Sequence, residues 1–219
     1  MDHENSVYEA LRDRLVTGGI APDVKLKPNE LKADFGCSAS TIRESLFRLS
    51  TEGLVIFKEQ RGFRVPMPNP QLQHELTQLR ILLECEGASL SIRLGGLEWE
   101  ARLTAAHHKL SHIESRVWQS EDSSPLFPLW TQAESEFHET LISSCDSDVL
   151  KASHSIIYRR FRQQLINTDK EYIFIAENIQ DHKGILDAGL ERNEELIKQQ
   201  IYNHLSRNFC KPMPSPVSS

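Results

Sequence analysis

Histidines and carboxylates at helical spacing are the residues of this 219-residue chain best suited to chemistry. Glu134 and His138 are four positions apart, so on one helix their side chains point the same way and can hold one cation together. His182 interrupts an apolar stripe of Ile175, Ile179 and Leu186, and His204 follows Ile197 and Ile201 on a stripe of the same kind. Each imidazole is therefore predicted to face a packed interior. Three imidazoles and one carboxylate from separate helices suit a divalent ion, zinc first, with nickel or manganese as alternatives set by geometry and availability. The competing reading makes each histidine a core residue hydrogen-bonded to a neighbour. The same ligands are also the kit of a metal-dependent hydrolytic enzyme, because a zinc-bound water becomes a nucleophile near neutral pH. Little else in the sequence supports that enzyme: it has no nucleophile elbow, phosphate loop or His-Glu-x-x-His run, and no general base beyond the ligands themselves. His3, His74, His107, His108 and His154 have no comparable partners and are read as solvated or structural.

Such ligands need a helical bundle to position them. Leu103, Ala106, Leu110, Ile113 and Val117 recur at spacings of three and four, and Leu150, Ile157, Phe161 and Leu165 continue the pattern in a later helix. Residues 71–219 are accordingly predicted to be an all-helical domain, with a polar loop at Ser120–Pro125 and a frayed tail over 210–219. Pro66, Pro68 and Pro70 can continue neither a helix nor a central strand, so residues 67–70 are expected to be a linker.

Residues 1–66 read differently. Tyr8, Leu11 and Leu15 mark one helix, ended by Gly18-Gly19, and Asn29–Phe35 a second with Leu31 and Phe35 inward. Gly36-Cys37-Ser38 makes a turn, and a third helix follows from Ser40 to Glu52 with Ile42, Leu46 and Leu49 buried. Gly53 stops it. Leu54–Phe57 and Phe63–Val65 are strand-like, and Glu59–Gly62 has the composition of a hairpin loop. The whole is mainly α: a winged helix-turn-helix with a small β-hairpin, then a helical bundle. A helix opening with hydroxyl residues and arginines can enter the major groove, where its N-terminal side chains reach base edges. Ser38, Ser40, Thr41 and Arg43 are the candidate base readers, with Asn29, Arg48, Arg61 and Gly62 as further DNA contacts.

The net charge of −6 divides unevenly. Residues 1–66 carry ten Lys/Arg against ten Asp/Glu, and 67–219 carry fifteen against twenty-one, so the acidic excess lies wholly in the second part. A neutral head can still present a basic face through Arg43, Arg48, Lys58, Arg61 and Arg64. A composition of 39% hydrophobic and 26% charged residues is that of a soluble globular protein. No stretch approaches a membrane span, and the N-terminus lacks the basic and apolar regions of a signal peptide, so the cytoplasm is the expected location. Cys37, Cys85, Cys145 and Cys210 are too scattered for a metal ribbon or a redox pair.

The run Gly36 to Leu49, then Glu52-Gly53-Leu54-Val55 and Arg61-Gly62-Phe63-Arg64-Val65, resembles the GntR family of bacterial transcription regulators. Arg80 with Glu84, Glu134–His138, His182 and His204 resemble the FCD ligand-binding domain of the FadR-like branch of that family. Together the two resemblances span roughly residues 6 to 209. They imply a homodimeric regulator, a repressor in most relatives, that reads a pseudo-palindromic duplex operator and responds to a small effector. Many relatives carry Arg where this chain has Ala39, and the family commonly has Asp at the position of Glu134. The resemblance also implies that Arg80 holds the carboxylate of an organic acid whose other oxygens bind the metal. The bland alternative is a salt bridge from Arg80 to Glu84. Arg160, in the cluster Arg159, Arg160 and Arg162, is a candidate for the far end of a dicarboxylate. Ser91 to Ala101 resembles the matching stretch of enterobacterial regulators of glutarate and gamma-aminobutyrate catabolism, which favours a small carboxylic acid as effector. The remaining alternatives are a regulator whose helical domain binds no metal and a helical interaction protein without a ligand.

Overall fold

Apolar residues three and four apart build the first helix, α1 (Asp2–Val16), whose Val7, Tyr8, Leu11 and Leu15 are buried. A computed structural model describes residues 2–166 and 175–210, with side chains for 5–165 and 177–210. The tail beyond Cys210 and the side chains of His3 and Ile175 lie outside these. The chain divides into two compact units, Met1–Asn69 with Arg159–Asp169, and Pro70–Tyr158 with Lys170–Ser219.

In the first unit, β1 (Lys25–Leu26) precedes α2 (Pro28–Phe35) and α3 (Ala39–Thr51). Ser38 caps α3: its Oγ accepts from the Thr41 amide at 3.1 Å, satisfying one of the donors a helix start leaves open. Ile42, Leu46 and Leu49 are fully buried against α1, Leu26, Leu54, Val55, Phe63 and Val65. Removing a side chain such as Leu46 to Ala would cost about 2–5 kcal/mol in transfer and cavity terms. Gly53 ends the helix with φ +79, a left-handed conformation that leaves room above it for the Arg160 side chain.

The wing is β2 (Ile56–Lys58) and β3 (Gly62–Arg64), with β3 central in a three-stranded antiparallel sheet of order β1-β3-β2. Two details differ from expectation. The strand starts at Ile56 because Leu54 and Val55 plug the core as the chain leaves Gly53. β1 went unnoticed because two residues are too few to show alternation.

The second unit contains α4 (Pro70–Leu94), α5 (Leu97–Gln119), a 3-10 turn (Ser124–Leu126) and α6 (Phe127–Leu141). After α7 (Asp148–Ile166) come α8 (Ile175–Leu190) and α9 (Glu194–Ser206). Trp99, Leu103, Leu110, Trp130, Phe137, Ile185, Ile197 and Ile201 form its core. Helix α5 packs on α6 and α8, and α9 on α4 and α8. The apolar stripe of α7 runs through Arg159 unbroken, so nothing in the sequence marks that its last turns belong to the first unit. Among the described residues no helix is long and apolar enough to cross a membrane.

Candidate DNA-reading face and metal centre

On α3 the unburied face carries Ser40, Arg43, Glu44, Phe47 and Arg48. The Ser38, Ser40 and Thr41 hydroxyls form one cluster, Ser38 Oγ lying 2.7 Å from Ser40 Oγ and 3.0 Å from Thr41 Oγ1. Among the described residues Arg43 has no ion pair; its guanidinium lies over the Phe47 ring, 5.4 Å from the centroid. Arg48 is placed otherwise. Its guanidinium sits 3.7 Å above the Tyr8 ring, donates to Asn5 and approaches Glu52 at 3.8 Å, which ties α3 to α1. Arg61 and Lys58 stand exposed in the wing, and Arg64 pairs with Asp23 at 2.9 Å. Gly62 has φ +77 in the tight turn where the Arg61 amide donates to Lys58 O, so a bulkier residue there would strain the wing tip. Asn29 is exposed near the start of α2.

In the second unit the geometry is the reverse: Arg80, Glu84, Glu114, Glu134, His138, His182 and His204 are buried, and Asp181 is partly so. One nitrogen from each of His138 (α6), His182 (α8) and His204 (α9) falls within 4.8 Å of the others. Each ring is held from behind. His138 Nδ1 lies 2.8 Å from Glu84 Oε2, His182 Nδ1 2.9 Å from Glu114 Oε1, and His204 Nδ1 3.3 Å from Asp181 Oδ2. An ionised carboxylate only accepts, so the Nδ1 facing it carries the ring's proton, and a ring that is neutral then presents a lone pair at Nε2. Among the described residues, Nε2 of His138 and of His182 are buried with no hydrogen-bond partner. Burial pushes the His138 imidazole down to about 3. His204 is likewise held at about 3, by burial above all, with the Arg80 charge acting in the same direction. Both rings are therefore neutral at physiological pH, which is the form a metal requires. Carboxylates behind ligand imidazoles are the usual outer support of such sites.

Glu134 stands beside this trio, its Oε1 3.7 Å from His138 Nε2. Its carboxylate accepts from the Tyr158 hydroxyl at 2.7 Å and lies 3.6 Å from an Arg80 nitrogen, the extra methylene relative to Asp carrying it toward those donors. Arg80 is 1% exposed, donates from Nε to Glu84 at 2.6 Å and lies over the Tyr158 ring. Burial disfavours its charge, yet the Glu84 and Glu134 carboxylates outweigh that and hold its pKa above the usual value. Burial likewise works against Glu84, but Arg80 and His138 bring it well below the ordinary carboxylate range. The salt bridge weighed against effector capture is thus present. Arg160 falls in the first unit, where its guanidinium lies against Gly53.

His154 corrects its reading as a residue without partners: it is fully buried and its Nε2 donates to Glu84 Oε1 at 3.0 Å. The signal was present, since His154 falls four after Leu150 and three before Ile157 on the apolar stripe. Glu114 was legible in the same way, four after Leu110 and three before Val117. Asp181 was not, because it lies off the stripe and meets His204 and Arg207 only in three dimensions.

Comparison with known proteins agrees with both halves. Residues 3–65 match the family described as bacterial regulatory proteins, gntR family, and residues 75–207 match the FCD domain. The chain is 32% identical to the HTH-type transcriptional regulator BphR of Paraburkholderia xenovorans, over 93% of this chain and 82% of that one. It is 27% identical to the HTH-type transcriptional repressor GlaR of Escherichia coli, over 90% of each. Among solved structures, Escherichia coli McbR/YncC superposes with a TM-score of 0.78 at 17% identity, covering 95% of both chains. A GntR regulator from Rhodococcus sp. gives 0.76 at 22% identity, covering 94% of this chain and 95% of that one. These are regulators, not enzymes. This chain belongs to the GntR family of bacterial DNA-binding transcription regulators, in the branch that carries an FCD domain.

Proposed function

We propose that the protein is a homodimeric repressor that leaves its operator when a small carboxylic acid binds the helical domain at a divalent metal ion. The carrying observation is the convergence of three imidazoles whose Nδ1 atoms rest on carboxylates, with the buried Nε2 atoms of His138 and His182 lacking a hydrogen-bond partner among the described residues. An unpartnered buried nitrogen is costly, and a cation would satisfy all three rings at once. His138, His182 and His204 would be the protein ligands, with Glu134 reaching the ion through water. A metal of this kind supplies positive charge that an acid's oxygens can join. Arg80 would take part of the acid's carboxylate, loosening its hold on Glu84 or Glu134. A two-fold protein calls for a pseudo-palindromic operator, and by linkage the acid and the operator weaken each other's binding equally. Ser38, Ser40, Thr41 and Arg43 would read bases, and Asn29, Arg61 and Gly62 would meet the backbone or minor groove. The cytoplasm is the compartment where such a regulator meets its operator.

Protein purified without chelator is expected to carry close to one zinc, nickel or manganese ion per chain and to melt at a lower temperature once stripped. A metal at one hundred times its Kd stabilises the fold by about 2.7 kcal/mol. Metal content below about one-tenth of an ion per chain, with no thermal shift on adding these ions, would end the metal reading.

A further inference from the structure

Three phenylalanines join the recognition helix to the wing. Phe47 of α3 lies 4.6 Å from Phe57 of β2 and 4.9 Å from Phe63 of β3, between ring centroids, and Phe57 and Phe63 are cross-strand partners 4.9 Å apart. Spacings of this size favour tilted and edge-on ring packing. Phe63 is buried, but Phe47 is 36% exposed, Phe57 38% and the neighbouring Ile56 40%. The result is an apolar patch within an otherwise polar and cationic face. Arg43 lies on Phe47 with no ion pair among the described residues, and Lys58 and Arg61 stand exposed on the wing.

Duplex DNA offers one apolar feature in its major groove, the C5 methyl of thymine. We infer that Phe47, backed by Phe57 and Phe63, reads a thymine methyl close to the base contacted by Arg43. The inference rests on the reading that α3 enters the major groove. Arg43 and Phe47 are one helical turn apart, about 6 Å along the axis, which is roughly two base-pair steps. One ring therefore serves twice: its face carries the guanidinium and its free edge meets the methyl. A surface made only for phosphate would have no use for exposed rings at this position, since phosphate contacts need donors or cations.

The test uses the full-length protein and a duplex selected by it from a randomised pool. Each thymine of the selected duplex is replaced in turn by deoxyuridine, which deletes only the methyl group. One such replacement is expected to weaken wild-type binding about fourfold, the worth of one buried methyl. Phe47→Ala should bind the thymine and deoxyuridine duplexes alike, while Phe47→Leu should keep part of the difference. Arg43→Ala should lose preference at a neighbouring base and remain sensitive to the methyl. The inference is overturned if no deoxyuridine changes wild-type affinity, or if Phe47→Ala shows the full wild-type loss. The wild-type scan needs no variant, so a failure of Phe47→Ala to fold leaves the test intact. Unchanged base preference in Arg43→Ala, with methyl sensitivity kept, would strike only the assignment of Arg43.

Discussion

The DNA-reading face and the imidazole cluster use unpaired polar groups in opposite ways. Arg43 and Arg61 are unpaired among the described residues and exposed at the surface, where water solvates a cation at little expense. Nε2 of His138 and of His182 are buried inside the bundle and, among the described residues, have no hydrogen-bond partner. An exposed free cation is cheap to keep, so its meaning comes from the motif that carries it. A buried free acceptor is expensive, so it points to a ligand by itself. The surrounding groups follow the same division: the α3 face has few internal partners, whereas Arg80, Glu84, His138 and His154 form one connected network.

Acid should separate the two regions most strongly. His138 and His204 stay neutral in the fold down to about 3, while their unfolded counterparts take up protons below the ordinary value of 6.5. Across that window the unfolded chain binds more protons, so stability falls as pH falls. Glu84 adds to the loss in the same direction: its contribution is present above 4.5 and disappears as pH drops through its depressed folded value. Metal-free protein should therefore unfold in acid, the helical unit with it; denaturant midpoints that stay level from pH 7 to about pH 4 would contradict this.

Next in size is Glu84→Ala, which strands Arg80, His138 and His154 together. The expected loss is about 3–5 kcal/mol, read from denaturant unfolding, because one side of a buried charged network is removed. A loss below about 1 kcal/mol would mean that the network is solvated after all. On the exposed side, Arg43→Ala should weaken operator binding by about 1–3 kcal/mol if it reads a base, with little change in melting temperature. Gel-shift titrations showing unchanged affinity and preference would remove that assignment. Arg61→Ala should have the smallest effect, within about 0.5 kcal/mol on stability, while lowering the salt slope of DNA binding by about one. An unaltered slope would place Arg61 away from phosphate.

Helices α5, α7, α8 and α9 were legible because each carries a three-four apolar rhythm, as in Leu103, Ala106 and Leu110, and the end of the first region because Pro66, Pro68 and Pro70 follow it. The turn chemistry of Gly36, Ser38 and Gly53 likewise marked the ends of α2 and α3. His182 and His204 could be read from their stripes, and His138 from its spacing to Glu134. Their supports were harder: Glu84 was visible only as a partner for Arg80, since contacts across 54 and 70 residues of sequence leave no periodic trace. Arg48 shows the limit on the exposed side. Its place in the recognition helix suggests DNA, while the fold turns its guanidinium onto Tyr8, 44 and 40 residues before Glu52 and Arg48 respectively.

X-ray absorption on zinc-loaded protein measures the central claim directly, because it counts the ligands that the buried lone pairs are held ready to supply. Three imidazole nitrogens at about 2.0–2.1 Å, with lighter oxygen scatterers completing the shell, are the predicted result. His182→Ala should lose one imidazole and most of the affinity, while Arg61→Ala keeps all three. A shell containing sulfur, or one imidazole or none, would contradict the account.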